Sequence, residues 1–237
     1  MIRMTRVVKR YPSETALADL DWEVGENEFC VVHAPSGAGK TTLFKLLTME
    51  ELPTEGAVQV GSFVSGRSGK GQRAQLRRTL GVVFEDCKLL EDRNLFENVA
   101  LVLRTQGVWD GATLHSRVEE TLASVGLAGR SRSFPRELSG GQKQRAAIAR
   151  AIVNHPLVVL ADEPTGNLDP RAASEILDLL WEIHRAGAAV ILATNDDALA
   201  RAQAARGARV LDLVEGRLVP MSGAPGVPAA PGAEARP

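Results

Sequence analysis

The segment 33–42, HAPSGAGKTT, constrains the fold of this chain more than any other stretch. It follows a short apolar run, FCVVHA, that is typical of a strand buried in a parallel sheet. It precedes TLFKLLTMEEL, whose apolar residues recur at helical spacing as far as Pro53. A glycine-rich loop between a strand and a helix is a context that binds phosphate. We therefore predict an α/β fold with a phosphate-binding loop.

The loop departs from the pattern G-x-x-x-x-G-K-[ST] at one position, where Ala34 replaces the first glycine. A methyl group is tolerated there provided that the φ angle of Ala34 stays negative. Lys40 offers a positive charge to the β- and γ-phosphates of ATP, and the Thr41 hydroxyl is a ligand for Mg²⁺. The nucleotide-binding residues predicted in this loop are Ala34, Pro35, Ser36, Gly37, Ala38, Gly39, Lys40, Thr41 and Thr42.

Charge and composition narrow the class of partner. The chain has 28 Lys and Arg against 29 Asp and Glu, so no global basic field attracts nucleic acid, and none is expected as a partner. Its two cysteines, Cys30 and Cys87, lack metal-ligand spacing and fit a reducing compartment. The longest apolar runs have strand length, well below the roughly 20 residues of a membrane-spanning helix. Any membrane role is therefore expected through a partner chain.

The order of patterns along the chain indicates one large domain. Two alternating segments near the start predict antiparallel strands, and LVVLADE and AVILAT predict buried parallel strands. Helical periodicity dominates a segment from about 87 to 151. A closing hairpin is predicted to turn at Glu215 and Gly216. Residues 220–237 are rich in Pro, Gly and Ala and are predicted to be disordered.

The segment 157–169, LVVLADEPTGNLD, places two acids at the end of an apolar strand. Open α/β sheets bind ligands at the carboxyl ends of their strands. Asp162 is the candidate partner of Mg²⁺, acting through water. Glu163 is placed to polarise the water that attacks the γ-phosphate.

The segment 137–156, ELSGGQKQRAAIARAIVNHP, contains a second helix start suited to phosphate. One ATP has a single γ-phosphate, which the first loop already binds. We therefore predict that this second site binds the nucleotide of another subunit. Its predicted contacts are Ser139, Gly140, Gly141 and Gln142.

Together, the phosphate loop, L-S-G-G-Q at 138–142 and A-D-E-P at 161–164 resemble an ABC-type ATPase domain over residues 1–219. The resemblance implies a P-loop NTPase fold with a RecA-like parallel-sheet core, an N-terminal antiparallel β subdomain and the helical insert. It also implies a homodimer that sandwiches ATP head to tail, with Asp169 in a loop that touches the opposite subunit. Tyr11 falls where this family stacks an aromatic ring on adenine; the alternative is a rim aromatic that covers a strand end.

Within this family the chain resembles the branch of lipoprotein-release, macrolide-export and FtsE cell-division ATPases. The segments 84–103 and 133–156 favour the FtsE-like group. That resemblance implies an FtsX-like membrane partner, control of peptidoglycan hydrolysis, and a peripheral location on the cytoplasmic face of the cell membrane. An exporter ATPase and an ATP-occupancy switch with negligible turnover remain alternatives.

Two positions depart from the family pattern. Glu85 stands where the family has a glutamine near Mg²⁺ and the attacking water, and Asn195 stands where it has a histidine at the γ-phosphate. Both changes lower the positive potential around that phosphate. We therefore expect Glu85 and Asn195 to act with Glu163 in a slow ATPase, with Glu85 also near the metal.

The segment 87–99 is a candidate docking surface for the partner. Leu89, Leu90 and Phe96 are apolar in an otherwise charged stretch that follows the strand before Glu85. Nucleotide state could move this segment directly. The alternative is that all three side chains pack inside the helical insert.

Overall fold

The computed structural model describes residues 2–222, which include two β-sheets. The smaller sheet is antiparallel and built from β1 (Ile2–Tyr11), β2 (Glu14–Val24), β4 (Glu55–Val60) and β5 (Phe63–Val64). Its strand order is β2-β1-β4-β5. The pairing of β1 with β2 confirms the antiparallel strands predicted near the start of the chain.

The larger sheet carries the parallel strands. It is built from β3 (Phe29–His33), β6 (Leu80–Val83), β7 (Val158–Asp162), β8 (Ala189–Thr194), β9 (Arg209–Val214) and β10 (Arg217–Pro220). Its order is β10-β9-β3-β8-β7-β6, and β10 alone in this sheet pairs antiparallel, through the predicted hairpin with β9. The carboxyl ends of β3, β8, β7 and β6 therefore meet at one edge.

Most of the helices are preceded by a residue whose side chain caps the first turn. Asn94, Asp110, Ser139, Asp169 and Asp196 each accept a hydrogen bond from a backbone N–H in the first turn that follows. The α-helices are α1 (Lys40–Leu47), α2 (Lys70–Thr79), α3 (Leu95–Thr105), α4 (Gly111–Ser124), α5 (Gly140–Ile152), α6 (Pro170–Arg185) and α7 (Asp197–Ala205), with a 3₁₀ turn at Pro135–Glu137.

Both faces of the parallel sheet are buried, which explains the continuous apolar runs of its strands. On β3, Val31 packs toward the helical side with α5 and α6, while Cys30 and Val32 pack toward α1 and the antiparallel sheet. Phe29 stacks on Trp181 of α6 at 4.2 Å between ring centroids. Burial raises the pKa of Cys30 to about 12, so this thiol is a core side chain.

Several predicted boundaries were wrong. The first helix ends at Leu47 rather than near Pro53, because Thr48 caps it and Met49 has a φ angle of 51°. The apolar run GVVFE at 81–85 predicts a strand as far as Glu85, whereas the strand ends at Val83. The predicted disordered tail begins too early, since β10 extends to Pro220 and Met221 is buried. The rest of that tail, 223–237, lies outside the described residues.

The sequence patterns did not predict β4, β5, α2 or α7. The helix α2 buries one side chain, Leu76, so it lacks the apolar periodicity by which helices are recognised. The strands β4 and β5 are short and depend on pairing with β1 and with each other.

Candidate functional site

The predicted phosphate and acid motifs meet at the carboxyl edge of the parallel sheet. The phosphate loop leaves β3, Glu163 follows β7, Asn195 follows β8, and Glu85 lies two residues beyond β6. They surround a cleft of about 380 Å³. The predicted residues that line it are Ser36, Gly37, Gly39, Lys40, Thr41, Thr42, Glu85, Asp162, Glu163 and Asn195.

The backbone of the loop explains which glycines are needed. Gly37 and Gly39 have φ angles of 82° and 103°, in the region that favours glycine. A Cβ on Gly39 would lie 2.8 Å from the carbonyl oxygen of Ala16. Ala34 is not among the residues with positive φ, and its N–H donates to the Thr194 carbonyl at 3.0 Å. The alanine at the first position is therefore accommodated.

Lys40 is buried, with its ammonium group facing the cleft residues. Its Nζ donates to the Ala34 carbonyl at 2.6 Å and the Pro35 carbonyl at 3.2 Å. The same atom lies 3.2 Å from Oε1 of Glu163. The phosphate-binding cation and the predicted catalytic base therefore pair with each other inside one chain.

The two acids after β7 have different surroundings. Burial raises the pKa of Asp162, and the Glu163 carboxylate raises it further, while Lys40 acts in the opposite direction. Glu163 has a φ angle of 46°, and its Oε2 accepts a hydrogen bond from the Asn195 N–H at 3.1 Å. A carboxylate in a left-handed backbone position, held from two sides, is a strained arrangement of the kind found at functional sites.

The two residues that depart from the family pattern both line the cleft and follow the strands on either side of β7. The Nδ2 atom of Asn195 donates to the Ser36 hydroxyl at 3.4 Å. Oε1 of Glu85 accepts from Nδ2 of Asn167 at 3.3 Å. Both side chains are solvent-exposed, so each is free to approach a ligand in the cleft.

The predicted second phosphate site forms a separate pocket of about 580 Å³ at the start of α5. Ser139 caps the helix, and the side chain of Gln142 accepts from the Ser139 N–H at 3.0 Å. Asp169 caps α6 beside it. Within the described residues, the two pockets have no lining residue in common. The predicted residues in this pocket are Ser139, Gly140, Gly141, Gln142 and Asp169.

Tyr11 lies at the edge of the cleft and is held by its hydroxyl group. The hydroxyl donates to Oε2 of Glu51 at 2.7 Å and lies 3.4 Å from Oγ1 of Thr42. Hydrogen bonds from Lys9 and then from Tyr11 lower the pKa of Glu51 to about 2, so the anchor stays ionised. Stacking of adenine on Tyr11 stays a prediction.

Two contacts near Glu85 were not foreseen from the sequence. Nη2 of Arg150 donates to the Cys87 carbonyl at 2.7 Å, and its Nη1 donates to the Lys88 carbonyl. Cys87 and Lys88 have φ angles of 56° and 45°. Arg150 lies in the last turn of α5, the helix that Ser139 caps, so it joins the segment after Glu85 to the helix whose start lines the second pocket. No sequence signal distinguishes it from other basic residues of that helix.

Of the three candidate docking side chains in the segment 87–99, two pack against the core on the helical side and one is exposed. Leu89 and Phe96 are partly buried and pack against the core on the helical side. Leu90 is exposed, and its backbone N–H and carbonyl are both bound by the buried Asn98 side chain. Leu90 is therefore an exposed apolar side chain on a backbone that Asn98 holds in place.

Comparison with known proteins decides the family. The family model described as ABC transporter matches residues 17–166. The chain belongs to the ABC transporter ATPase family. This membership makes it a nucleotide-binding, ATP-hydrolysing protein, and the fold predicted for this family is confirmed.

Within the family the chain is FtsE-like. It is 42% identical to the cell division ATP-binding protein FtsE of Mycobacterium tuberculosis, over 92% of this chain and 94% of that one. It is 40% identical to FtsE of Escherichia coli, over 92% and 97% of the two chains. The resemblance to FtsE drawn from the two sequence segments is confirmed.

Solved structures agree with the assignment to the ABC transporter family. The ATP-binding cassette MJ0796, in a dimeric post-hydrolysis state bound to ADP and Pi, is 32% identical with a TM-score of 0.81. That alignment covers 92% of this chain and 96% of the other. Among residues 2–222, no helix is long and apolar enough to cross a membrane.

Proposed function

We propose that this chain is an FtsE-like ATPase that works as a head-to-tail homodimer, with ATP between the phosphate loop of one copy and the α5 start of the other. The observation that supports it is the separation of the cleft from the second pocket, each with half of a binding site. The cleft holds Lys40 and the acids, whereas the pocket offers the helix N-terminus at Ser139. The dimeric MJ0796 cassette is consistent with this arrangement.

The cleft residues also fit Mg²⁺. Thr41, Asp162 and Glu85 offer a hydroxyl and two carboxylates around one cleft. Burial raises the pKa of Asp162, and the Glu163 carboxylate raises it further, an effect that a bound cation would oppose. Within residues 2–222, no group of three or more His, Cys, Asp or Glu is arranged to hold a metal alone. Mg²⁺ is commonly held by one or two carboxylates with substrate phosphates, and here it would neutralise charge on the β- and γ-phosphates.

The pairing of Lys40 with Glu163 suggests how ATP prepares hydrolysis. A triphosphate offers Lys40 stronger acceptors than the Glu163 carboxylate and the two loop carbonyls. Glu163, released from Lys40 but still held by the Asn195 N–H, is then free to orient the attacking water. Glu85 and Asn195 give weaker support to the γ-phosphate than the family residues, so we expect slow turnover.

The similarity to FtsE bears on the partner and the location of this chain. We infer an FtsX-like membrane protein, control of peptidoglycan hydrolysis in cell division, and a peripheral position at the cytoplasmic face of the membrane. The exposed Leu90 in the segment 87–99 is the proposed contact. Leu90→Glu should abolish membrane recruitment in cells with unchanged ATP binding, whereas loss of folding would indicate that the segment only packs internally.

A second candidate function, an ATP-occupancy switch, is favoured by Glu85 and Asn195. Steady-state ATPase assays with and without the membrane partner separate the two. Turnover that increases with the FtsX-like partner supports the ATPase. ATP binding and dimer formation without turnover, even with the partner, would support the switch. Stimulation by an exporter permease instead would support the exporter alternative.

A further inference from the structure

One segment of this chain carries basic side chains and no acidic ones. Residues 56–84 contain no Asp or Glu, although acids slightly outnumber bases over the whole chain. Five cations lie in this segment and we call them the basic face: Arg67, Lys70, Arg73, Arg77 and Arg78.

The helix α2 aligns most of these charges. Lys70, Arg73 and Arg77 follow at i, i+3 and i+7, so they share one side of the helix. Arg73 lies one turn from the buried Leu76 and is itself partly buried. The exposed members are Arg67, Lys70, Arg77 and Arg78.

No carboxylate neutralises the basic face within the part of the chain that the structure describes. All ion pairs in residues 2–222 lie elsewhere, and many of them hold exposed arginines such as Arg3 and Arg201. The Nε atom of Arg73 is buried without a hydrogen-bond partner. Five unpaired cations on about two turns of helix and the loop before it form a local positive field.

The basic face lies beside the proposed docking segment. The Arg77 guanidinium reaches the carbonyls of Thr48 and Met49 at the end of α1, both at 3.5 Å. Thr48 in turn lines a groove of about 300 Å³ together with Lys88, which belongs to the segment 87–99. A membrane protein bound at that segment would bring its bilayer toward the same side of this chain.

We propose that the basic face binds the anionic headgroups of the bilayer that holds the membrane partner; this rests on the proposed function. The charges are dispersed along an exposed helix and no pocket is built around them, which suits a fluid anionic surface better than a shaped peptide. The nearly neutral chain as a whole argues against nucleic acid. Each Lys or Arg near an anionic membrane strengthens binding about fivefold.

The test measures sedimentation of the full chain with vesicles. One set contains phosphatidylcholine with about 30% phosphatidylglycerol, an anionic fraction that gives a negative surface potential, and the other contains phosphatidylcholine alone. The test variant carries Arg67→Gln, Lys70→Gln and Arg78→Gln, and it spares Arg77, which holds α1. The matched control removes the same charge with Arg132→Gln, Arg185→Gln and Arg217→Gln, all of them exposed.

We expect wild type to bind only the anionic vesicles, about 100-fold more tightly than the test variant, and the control variant to bind nearly as wild type. Raising the salt concentration should weaken binding, because screening shortens the range of exposed charges. Equal binding of the two variants, or equal binding to neutral vesicles, would overturn the proposal. So would charge-dependent binding to an acidic peptide or a short DNA duplex with none to vesicles. If lipid binding fails while partner-stimulated ATPase activity persists, this inference alone is wrong.

Discussion

The cleft at the phosphate loop and the pocket at the start of α5 differ in how their polar groups are satisfied. In the cleft, charges of opposite sign pair across the site, with Lys40 at 3.2 Å from Glu163. In the pocket, Ser139 and Gln142 bond to each other, and Asp169 bonds to the N–H groups that begin α6. In the cleft, a bound phosphate can therefore replace Glu163 as the partner of Lys40, whereas the pocket offers a capped helix N-terminus.

This difference teaches that neither region is a complete site. The cleft has the lysine and the acids needed to bind and attack a triphosphate. The pocket has no phosphate loop among its lining residues in the described chain, but it has a helix N-terminus at Ser139 that favours anions. Its lining residues include Glu175, which pairs with Arg145 at 2.7 Å and with Arg171 at 3.3 Å. Two copies in opposite orientation would supply each ATP with one of each.

The largest effect is expected from a substitution that removes the positive charge of the cleft and leaves the pocket unchanged. Lys40→Ala should weaken ATP binding about 100-fold or more, because truncation removes the buried charge that faces the phosphates. Lys45→Ala, on the same helix but paired with Glu51, is the control and should bind ATP as wild type does. Calorimetry with MgATP measures both. An unchanged affinity for Lys40→Ala would show that the loop is not the nucleotide site.

Restoring the family residues at positions 195 and 85 tests how these two side chains affect the rate of hydrolysis. Asn195→His should raise kcat by about tenfold, since one preorganised donor is worth on the order of 10²–10³ and asparagine retains part of it. Glu85→Gln should have a smaller effect and mainly flatten the dependence on Mg²⁺ concentration. The double variant should be non-additive because both side chains act on one phosphate.

Single-turnover rates of wild type, the two single variants and the double variant decide this point. Equal rates for all four would mean that neighbours compensate for Glu85 and Asn195, and the slow-ATPase account would fail.

A substitution of Arg150 tests whether the link between α5 and the segment after Glu85 affects hydrolysis without affecting ATP binding. Arg150→Lys keeps the charge but loses the paired hydrogen bonds to the Cys87 and Lys88 carbonyls. We expect kcat to fall several-fold with little change in ATP affinity. Arg117→Lys, on α4, is the control, because Arg117 also donates to a backbone carbonyl, that of Val153, but lines neither the cleft nor the second pocket. A parallel loss of affinity and thermal stability would assign Arg150 a purely structural role.

The smallest effect concerns the anchor of Tyr11. The folded-state pKa of Glu51 is about 2, below its ordinary value of 4.5, so its stabilisation is present above pH 4.5 and is lost as pH falls toward 2. Glu51→Gln should therefore cost about 1 kcal/mol at pH 7 and less at pH 3.5. Urea unfolding at both pH values measures this, with the exposed Glu50→Gln as control. An equal cost at both values would contradict the ionic role.

The main residues of both regions could be predicted from the sequence. The strand–glycine–lysine order of the phosphate loop and the apolar run before Asp162 are local signals, and the structure places both at one sheet edge. Ser139 was likewise recognisable as a helix cap. These features depend on backbone rules that act over a few residues.

What the sequence did not predict depends on contacts between distant segments. The Arg150 bond to Cys87 joins residues 63 positions apart, and the Lys40–Glu163 pair joins two motifs across the sheet. The helix α2 was missed because its outer side is basic and only Leu76 is buried. The tertiary fold, rather than local pattern, decides such contacts.

The central claim is that each ATP is bound by the cleft of one copy and the pocket of another. Light scattering on Glu163→Gln at high protein and ATP concentration tests it, because a dimer that cannot hydrolyse ATP should stay closed. Adding Ser139→Asp keeps a helix-capping side chain but places a negative charge toward the partner's triphosphate, while Ser139→Asn caps without charge. We predict a dimer of two 25.4 kDa chains for Glu163→Gln alone and with Ser139→Asn, and a monomer with Ser139→Asp. A monomer for Glu163→Gln with ATP, or a dimer indifferent to Ser139→Asp, would contradict the account.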